Sequence, residues 1–118
     1  MKVKTSELAG FELDLAVVKA EGEKAELNYG EVVTWKTIAY HEYRLVWRPS
    51  TDWAQGGTII EREKISVWAR GGEWAAESFV PNHQGFESTG PTPLIAAMRC
   101  YVASKLGDEV ELSEEVTQ

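Results

Sequence analysis

Lys64–Ser78 reads KISVWARGGEWAAES, and how its two halves pair decides the fold. Two runs of β-branched, aromatic and small residues flank Gly71-Gly72, and such a two-residue turn joins antiparallel strands in a primed conformation that needs positive φ. The turn predicts a register: Arg70 with Glu73, Ala69 with Trp74, Trp68 with Ala75, Val67 with Ala76. Side chains alternate across a strand. Ile65, Val67, Ala69, Trp74 and Ala76 therefore form the expected core face, and Ser66, Trp68, Arg70, Glu73 and Glu77 the polar one. Trp68 is left as an aromatic among charges.

Working outward, 92–107 reads TPLIAAMRCYVASKLG. Thr92 is an expected helix cap, Pro93 is preset for the first helical position, and Gly107 closes the helix. Between them only Arg99 and Lys105 are charged. Leu94, Ile95, Met98, Val102 and Leu106 make a broad apolar side, and Ala96, Ala97, Cys100, Ala103 and Ser104 a side of small residues. A helix apolar nearly all round is buried on more than one side. This one is expected at the centre of the molecule, its small side open to a close backbone neighbour or a second copy.

At the other end, a helix is expected up to about Glu21, stopped by Gly22 and capped at Ser6, with Gly10 an alternative start. Leu13, Ala16, Val17 and Ala20 share one face, and Leu8, Phe11, Leu15 and Val18 another. Asp14 falls between them and needs a partner in so apolar a setting. Arg99 is the expected one, with Asp52 and Glu61 as other candidates for Arg99. Val32–Trp35 and Tyr43–Trp47 read as strands. Ile38–Tyr40 stays ambiguous, and 81–91 reads as a loop. The expected fold is α+β: a small antiparallel β-sheet with the N-terminal and C-terminal helices packed on one face.

The chain of 118 residues is short enough for one domain, expected over 1–112 with a flexible acidic tail at 113–118. Its formal net charge is -7. Five acids lie in 107–118 without a base, so 1–106 holds 14 acids against 12 bases. A nearly neutral body without a basic stripe disfavours nucleic acid. No apolar run is long enough for a membrane, the residues from Met1 do not read as a basic-then-apolar leader, so secretion is not expected, and Cys100 is the single cysteine. These features predict a cytoplasmic protein.

Chemistry is sparse. No C-x-x-C, H-E-x-x-H or G-x-S-x-G occurs, and Gly56-Gly57 lacks the Lys and Ser/Thr of a phosphate loop. His41 and His83 stand 42 positions apart, and Cys100 sits inside an apolar helix without the open, positive setting of a reactive thiolate. No catalytic residue, metal or cofactor is expected. The segment PSTDWAQGGTIIERE at 49–63 is the one elaborate loop. Ser50 and Asp52 favour tight turns. One helical turn is expected over Thr51–Gln55, stopped by Gly56-Gly57, with Thr58 and Glu61 at capping-box spacing. Trp53 is expected to fold inward as an anchor. Alternatively the loop is a ligand wall, with Trp53 for stacking and Asp52 and Gln55 for polar contacts.

Three blocks together carry a resemblance: MKVKTSELAG with LDLAVVKAEG, PSTDWAQGGTIIERE, and GPTPLIAAMRCYVASKLGDEVE. They are similar to the NinX-like family of phage-encoded proteins, named for the nin region of lambdoid phages. Leu15 stands where that family tends to have an aromatic, and Thr58 where it tends to have proline. The resemblance implies a phage or prophage protein made in the cytoplasm of a bacterial host, and it brings no catalytic residues with it. The expected function is a non-catalytic accessory protein that binds a host or phage protein, or itself as a homodimer. Its candidate surfaces are Trp68, the small-residue helix side and the Trp53 loop. The alternative is a small-molecule binder or minor enzyme using Asp52, Trp53, Gln55, Glu61 and Arg99.

Overall fold

A computed structural model describes residues 2–79 and 85–112. The fold is α+β, and the order along the chain is β1 (Lys2–Lys4), a 3-10 turn (Thr5–Glu7), α1 (Gly10–Glu21), β2 (Glu26–Asn28), β3 (Glu31–Ile38), β4 (His41–Trp47), α2 (Trp53–Glu63), β5 (Ser66–Arg70), β6 (Glu73–Phe79), β7 (Gly85–Gly90), α3 (Pro93–Leu106) and β8 (Glu109–Glu111). The strands form three antiparallel sheets, ordered β1-β8, β2-β3-β4 and β5-β6-β7.

The β5–β6 register is the one the glycine turn predicts, from Arg70 opposite Glu73 to Val67 opposite Ala76. Gly71 alone of the two glycines carries a positive φ (62°), the φ pattern of a II′ turn. Ile65 and Ala76 are buried and Val67 and Trp74 pack against the core, while Ala69 near the turn is exposed. The segment 81–91, expected as a loop, contains β7 at Gly85–Gly90, and residues 81–84, with His83, lie outside the described residues. GFESTG has no apolar alternation to announce a strand. Its place comes from pairing with β6 and from α3 lying close above it. A Cβ on Gly90 would stand 2.9 Å from the Ala96 amide nitrogen.

Helix α3 is the centre. Thr92 Oγ1 accepts the Ile95 N–H at 3.1 Å and Pro93 opens the helix. Met98 and Val102 are fully buried. The β5–β7 sheet packs on one side of α3, and α1 and α2 pack on the others. Most of the small side is covered within the chain: Ala96, Ala97 and Cys100 are buried, and Ala103 and Ser104 are half-buried. Cys100 Sγ lies 3.1 Å from the Phe86 carbonyl of β7. Burial pushes the Cys100 thiol up to about 12, which suits a core residue rather than a nucleophile.

Helix α1 starts at Gly10, and Ser6 belongs to the separate 3-10 turn instead of capping it. Gly22 ends it with a φ of 73°. Leu13 through Val18 are all buried, because α3 covers one flank and β3 approaches another. Asp14 and Arg99 do not meet as the sequence suggests. Asp14 Oδ1 accepts the Ser50 N–H at 2.9 Å. Arg99 donates through Nε to the Leu8 carbonyl and through Nη1 to the Thr89 carbonyl, both at 2.8 Å. Each finds main-chain partners at a different junction, Asp14 where β4 leads into α2, Arg99 where the chain enters α1 and leaves β7.

Burial pushes the Asp14 carboxyl above the ordinary carboxylate value, against the opposing pull of the Ser50 amide. A folded-state value above the unfolded one means that the ionised form opposes folding. The contribution is therefore unfavourable at neutral pH and is relieved as pH falls through the folded-state value. Asp14→Asn keeps an acceptor for Ser50 without the charge, so urea unfolding at pH 7 should place it within about 1 kcal/mol of the parent. Asp14→Ala strands the buried amide and should cost about 1–3 kcal/mol. Equal losses in the two variants would contradict this account.

Helix α2 departs most from expectation. In place of a turn stopped by glycines, one helix runs unbroken from Trp53 to Glu63. Thr58 is interior to it, and its hydroxyl donates to the Ala54 carbonyl at 2.7 Å instead of capping a second turn. Gly56 is buried against the Pro49 carbonyl and the Leu94 side chain, so close that a Cβ would overlap both. The glycine lets α2 press onto α3 and the chain before it. At the ends of the chain β1 pairs with β8, setting Lys2 opposite Glu111 and Lys4 opposite Glu109. Part of the acidic C-terminal end is thus sheet, and 113–118 lie outside the described residues.

Candidate functional site

Two of the three residues expected to form a ligand wall, Asp52 and Gln55, are bonded to main-chain groups. Asp52 Oδ1 accepts the Ala54 N–H at 2.8 Å and caps α2. Gln55 Oε1 accepts the Arg48 N–H at 2.6 Å, and its Nε2 donates to the Val46 carbonyl at 2.9 Å. That amide acts as a short strand mimic on the outer edge of β4. Trp53 points outward with 57% of its surface exposed, and so is not the inward anchor. It is the first residue of α2, one turn ahead of Gly56, which packs against Leu94 of α3. Glu61 is exposed further along α2. Arg99 is committed to Leu8 and Thr89, so among the described residues no bond joins it to Asp52 or Glu61. Trp68 is 36% exposed on the outer face of β5, opposite the fully buried Ala75.

A second cluster, which the sequence did not announce, ties the C-terminal parts of the three helices together. Arg62 of α2 reaches Glu21 of α1 with two bonds, Nη1 to Oε1 at 3.1 Å and Nη2 to Oε2 at 2.6 Å. Tyr101 of α3 donates its hydroxyl to Glu21 Oε2. Arg62 Nε also bonds Glu63, and Lys105 stands 3.6 Å from the same carboxylate. Arg62 and Lys105 both lie over the Tyr101 ring, at 5.7 and 5.9 Å from its centroid. Burial pushes Glu21 up, but the bonds from Arg62 and Tyr101 outweigh it and hold the carboxyl below its usual range. Burial, then the bond to Glu21, raises the Tyr101 hydroxyl, which stays protonated. Each charge answers another, as in a clamp between helices, and such networks are commonly architectural.

The surface without such satisfaction is the β3–β4 hairpin. Val32, Val33 and Trp47 at its base are buried. From Thr37 to Arg44 every residue is exposed. The segment Ile38–Tyr40, ambiguous by sequence, is the end of β3 and the turn. Ala39 and Tyr40 take φ of 50° and 71°, a two-residue I′ pattern that favours Asn and Gly. Tyr40 therefore holds a strained position with its side chain fully in solvent. Ile38 is 62% and Tyr43 52% exposed. The register sets Ile38 opposite His41 and Lys36 opposite Tyr43, which puts Ile38, His41 and Tyr43 on one face. The His41 and Tyr43 rings lie 6.5 Å apart on it. Strand β2 reaches only Glu31–Val33, so among the described residues the end of the hairpin has no third strand. A two-stranded ribbon is marginal in water, and this one ends in the exposed side chains of Ile38, Tyr40 and Tyr43. The sequence signal is weak: 36–43 reads KTIAYHEY without regular apolar–polar alternation, and the turn lacks Asn or Gly.

Among the described residues no three His, Cys, Asp or Glu side chains gather within reach of a metal ion. No helix among them is long and apolar enough to cross a membrane. The family model described as Bacteriophage P22, NinX matches residues 4–105. No curated protein matches the chain.

Proposed function

The chain belongs to the phage P22 NinX family, and from that premise we propose that it is a non-catalytic accessory protein, acting in the cytoplasm of the bacterial host by binding protein through the end of its β3–β4 hairpin. One observation carries the role: Ile38, Tyr40 and Tyr43 are held in solvent on a ribbon whose turn is strained to present one of them. Strain of that kind persists where side-chain identity matters more than local comfort. Trp53 and Trp68 are secondary contact candidates by exposure. A small-molecule or enzymatic site around 49–63 has less support, because Asp52 and Gln55 already bond main-chain groups.

The test is affinity capture from phage-infected cells with the parent chain and with the double variant Ile38→Ser, Tyr40→Gly. Both positions are exposed, and glycine suits the turn, so the melting temperature should hold or rise. Captured proteins should be lost from the variant. An identical set from both chains would remove the hairpin from the role.

A further inference from the structure

We propose that the open edge of the hairpin pairs with a second copy of this chain, β4 antiparallel to β4 about a two-fold axis at Tyr43. The proposal rests on the interaction role of the hairpin and specifies its occupant. Among the described residues β4 is an edge strand. Edges are usually protected by charged side chains, lysine above all, by proline, by a bulge or by a covering segment, and here the two charges, Glu42 and Arg44, are of opposite sign. His41–Trp47 contains neither lysine nor proline, and its pairing with β3 runs without a bulge.

The main chain says which part of the edge is open. A two-residue turn closes on a hydrogen-bonded pair, here Ile38 and His41. Bonded positions then alternate along an antiparallel ladder. His41, Tyr43, Leu45 and Trp47 accordingly turn their main-chain groups toward β3. Glu42, Arg44 and Val46 turn theirs to the outer edge. Gln55 agrees with that parity, since it bonds the Val46 carbonyl and the Arg48 N–H, and it closes the edge from Val46 onward. Glu42 and Arg44 remain, and among the described residues no bond to their outward main-chain groups is seen.

A second copy centred on Tyr43 fits those two residues. Glu42 then lies opposite Arg44 of the second copy, and Arg44 opposite its Glu42, at hydrogen-bonded positions. The two tyrosines face each other at the intervening position, where cross-strand side chains are closest. Such a contact is isologous and closes as a dimer. Charge selects the register. Centring on Glu42 or on Arg44 would set like charges opposite each other, which is destabilising, whereas centring on Tyr43 makes two Glu–Arg pairs. On the opposite face Ile38 and Tyr43 of both copies and the half-buried Leu45 form one apolar strip.

Sedimentation equilibrium of the full chain and of Glu42→Arg, Arg44→Glu and their mixture tests this. The parent should dimerise. Each single reversal creates two like-charge pairs and should weaken the dimer on the order of ten-fold or more. An equimolar mixture of the two single variants restores both opposite-charge pairs and should recover the parent's association, as should the double variant. Near-UV circular dichroism checks that each variant is folded. A parent that stays monomeric, or a dimer indifferent to the reversals, would overturn the proposal. In either case hairpin-dependent capture of another protein would leave the broader interaction role standing.

Discussion

Gly56→Ala is expected to destabilise the protein by about 3 kcal/mol, while Gly57→Ala, one position on, is expected to stabilise it by about 0.5–1 kcal/mol. Both residues lie inside α2, where alanine is intrinsically the better helix former. They differ only in what surrounds them. A methyl at Gly56 would overlap the Pro49 carbonyl and Leu94, and a backbone carbonyl cannot rotate out of the way like a side-chain end. Relief requires α2 to move away from α3, opening the packing around Ile59 and Leu94, both buried. At Gly57 the nearest atom is Trp53 Cε3 at 3.8 Å, an ordinary contact. Thermal unfolding should separate the variants widely, with a fall of about 10 °C or more for Gly56→Ala, given roughly 4–8 °C per kcal/mol in a small domain. Shifts of the same sign would refute the close approach.

Arg99→Ala should cost about 3 kcal/mol, since a bond from a charged donor contributes more than a neutral one and two are lost together. The guanidinium bridges the Leu8 and Thr89 carbonyls, which stand 81 positions apart in sequence and belong to the entry of α1 and the end of β7. Arg99→Lys should recover only part of that loss, because one ammonium at the end of a flexible stem does not reproduce a fork with two fixed donors. Urea unfolding of both variants measures it. A loss below about 1 kcal/mol for the alanine variant would show that water satisfies both carbonyls and that the bridge contributes little.

The local signals in the sequence proved sound where the determining contact is short in range. Gly71-Gly72 needed only the turn's own geometry to set the β5–β6 register. Thr92, Pro93 and Gly107 bound α3 by the capping of the helix itself, and its nearly uncharged surface announced burial. Where the determinant is a distant residue, local signals misled. Gly56-Gly57 looks like a helix stop, and the deciding neighbour, Leu94, is 38 positions away. Asp14 and Arg99 look like a pair because each is the odd charge on its helix, yet each met a main-chain group first.

The candidate site divides the same way. Strand register could place Trp68 on the polar face, but nothing local showed that Trp53 would turn outward, and Asp52 and Gln55 could be named as polar, but not that both were already bonded. By itself the sequence determined the α+β class, the central helix, the β5–β6 register and the family, because these follow from periodicity, turn chemistry and recognisable blocks. Only the tertiary structure decided that α2 runs through its glycines, that most of the small side of α3 is covered from within, and that the β3–β4 hairpin is left standing in solvent. Those outcomes depend on which surfaces meet, and contact between residues dozens of positions apart leaves no local pattern.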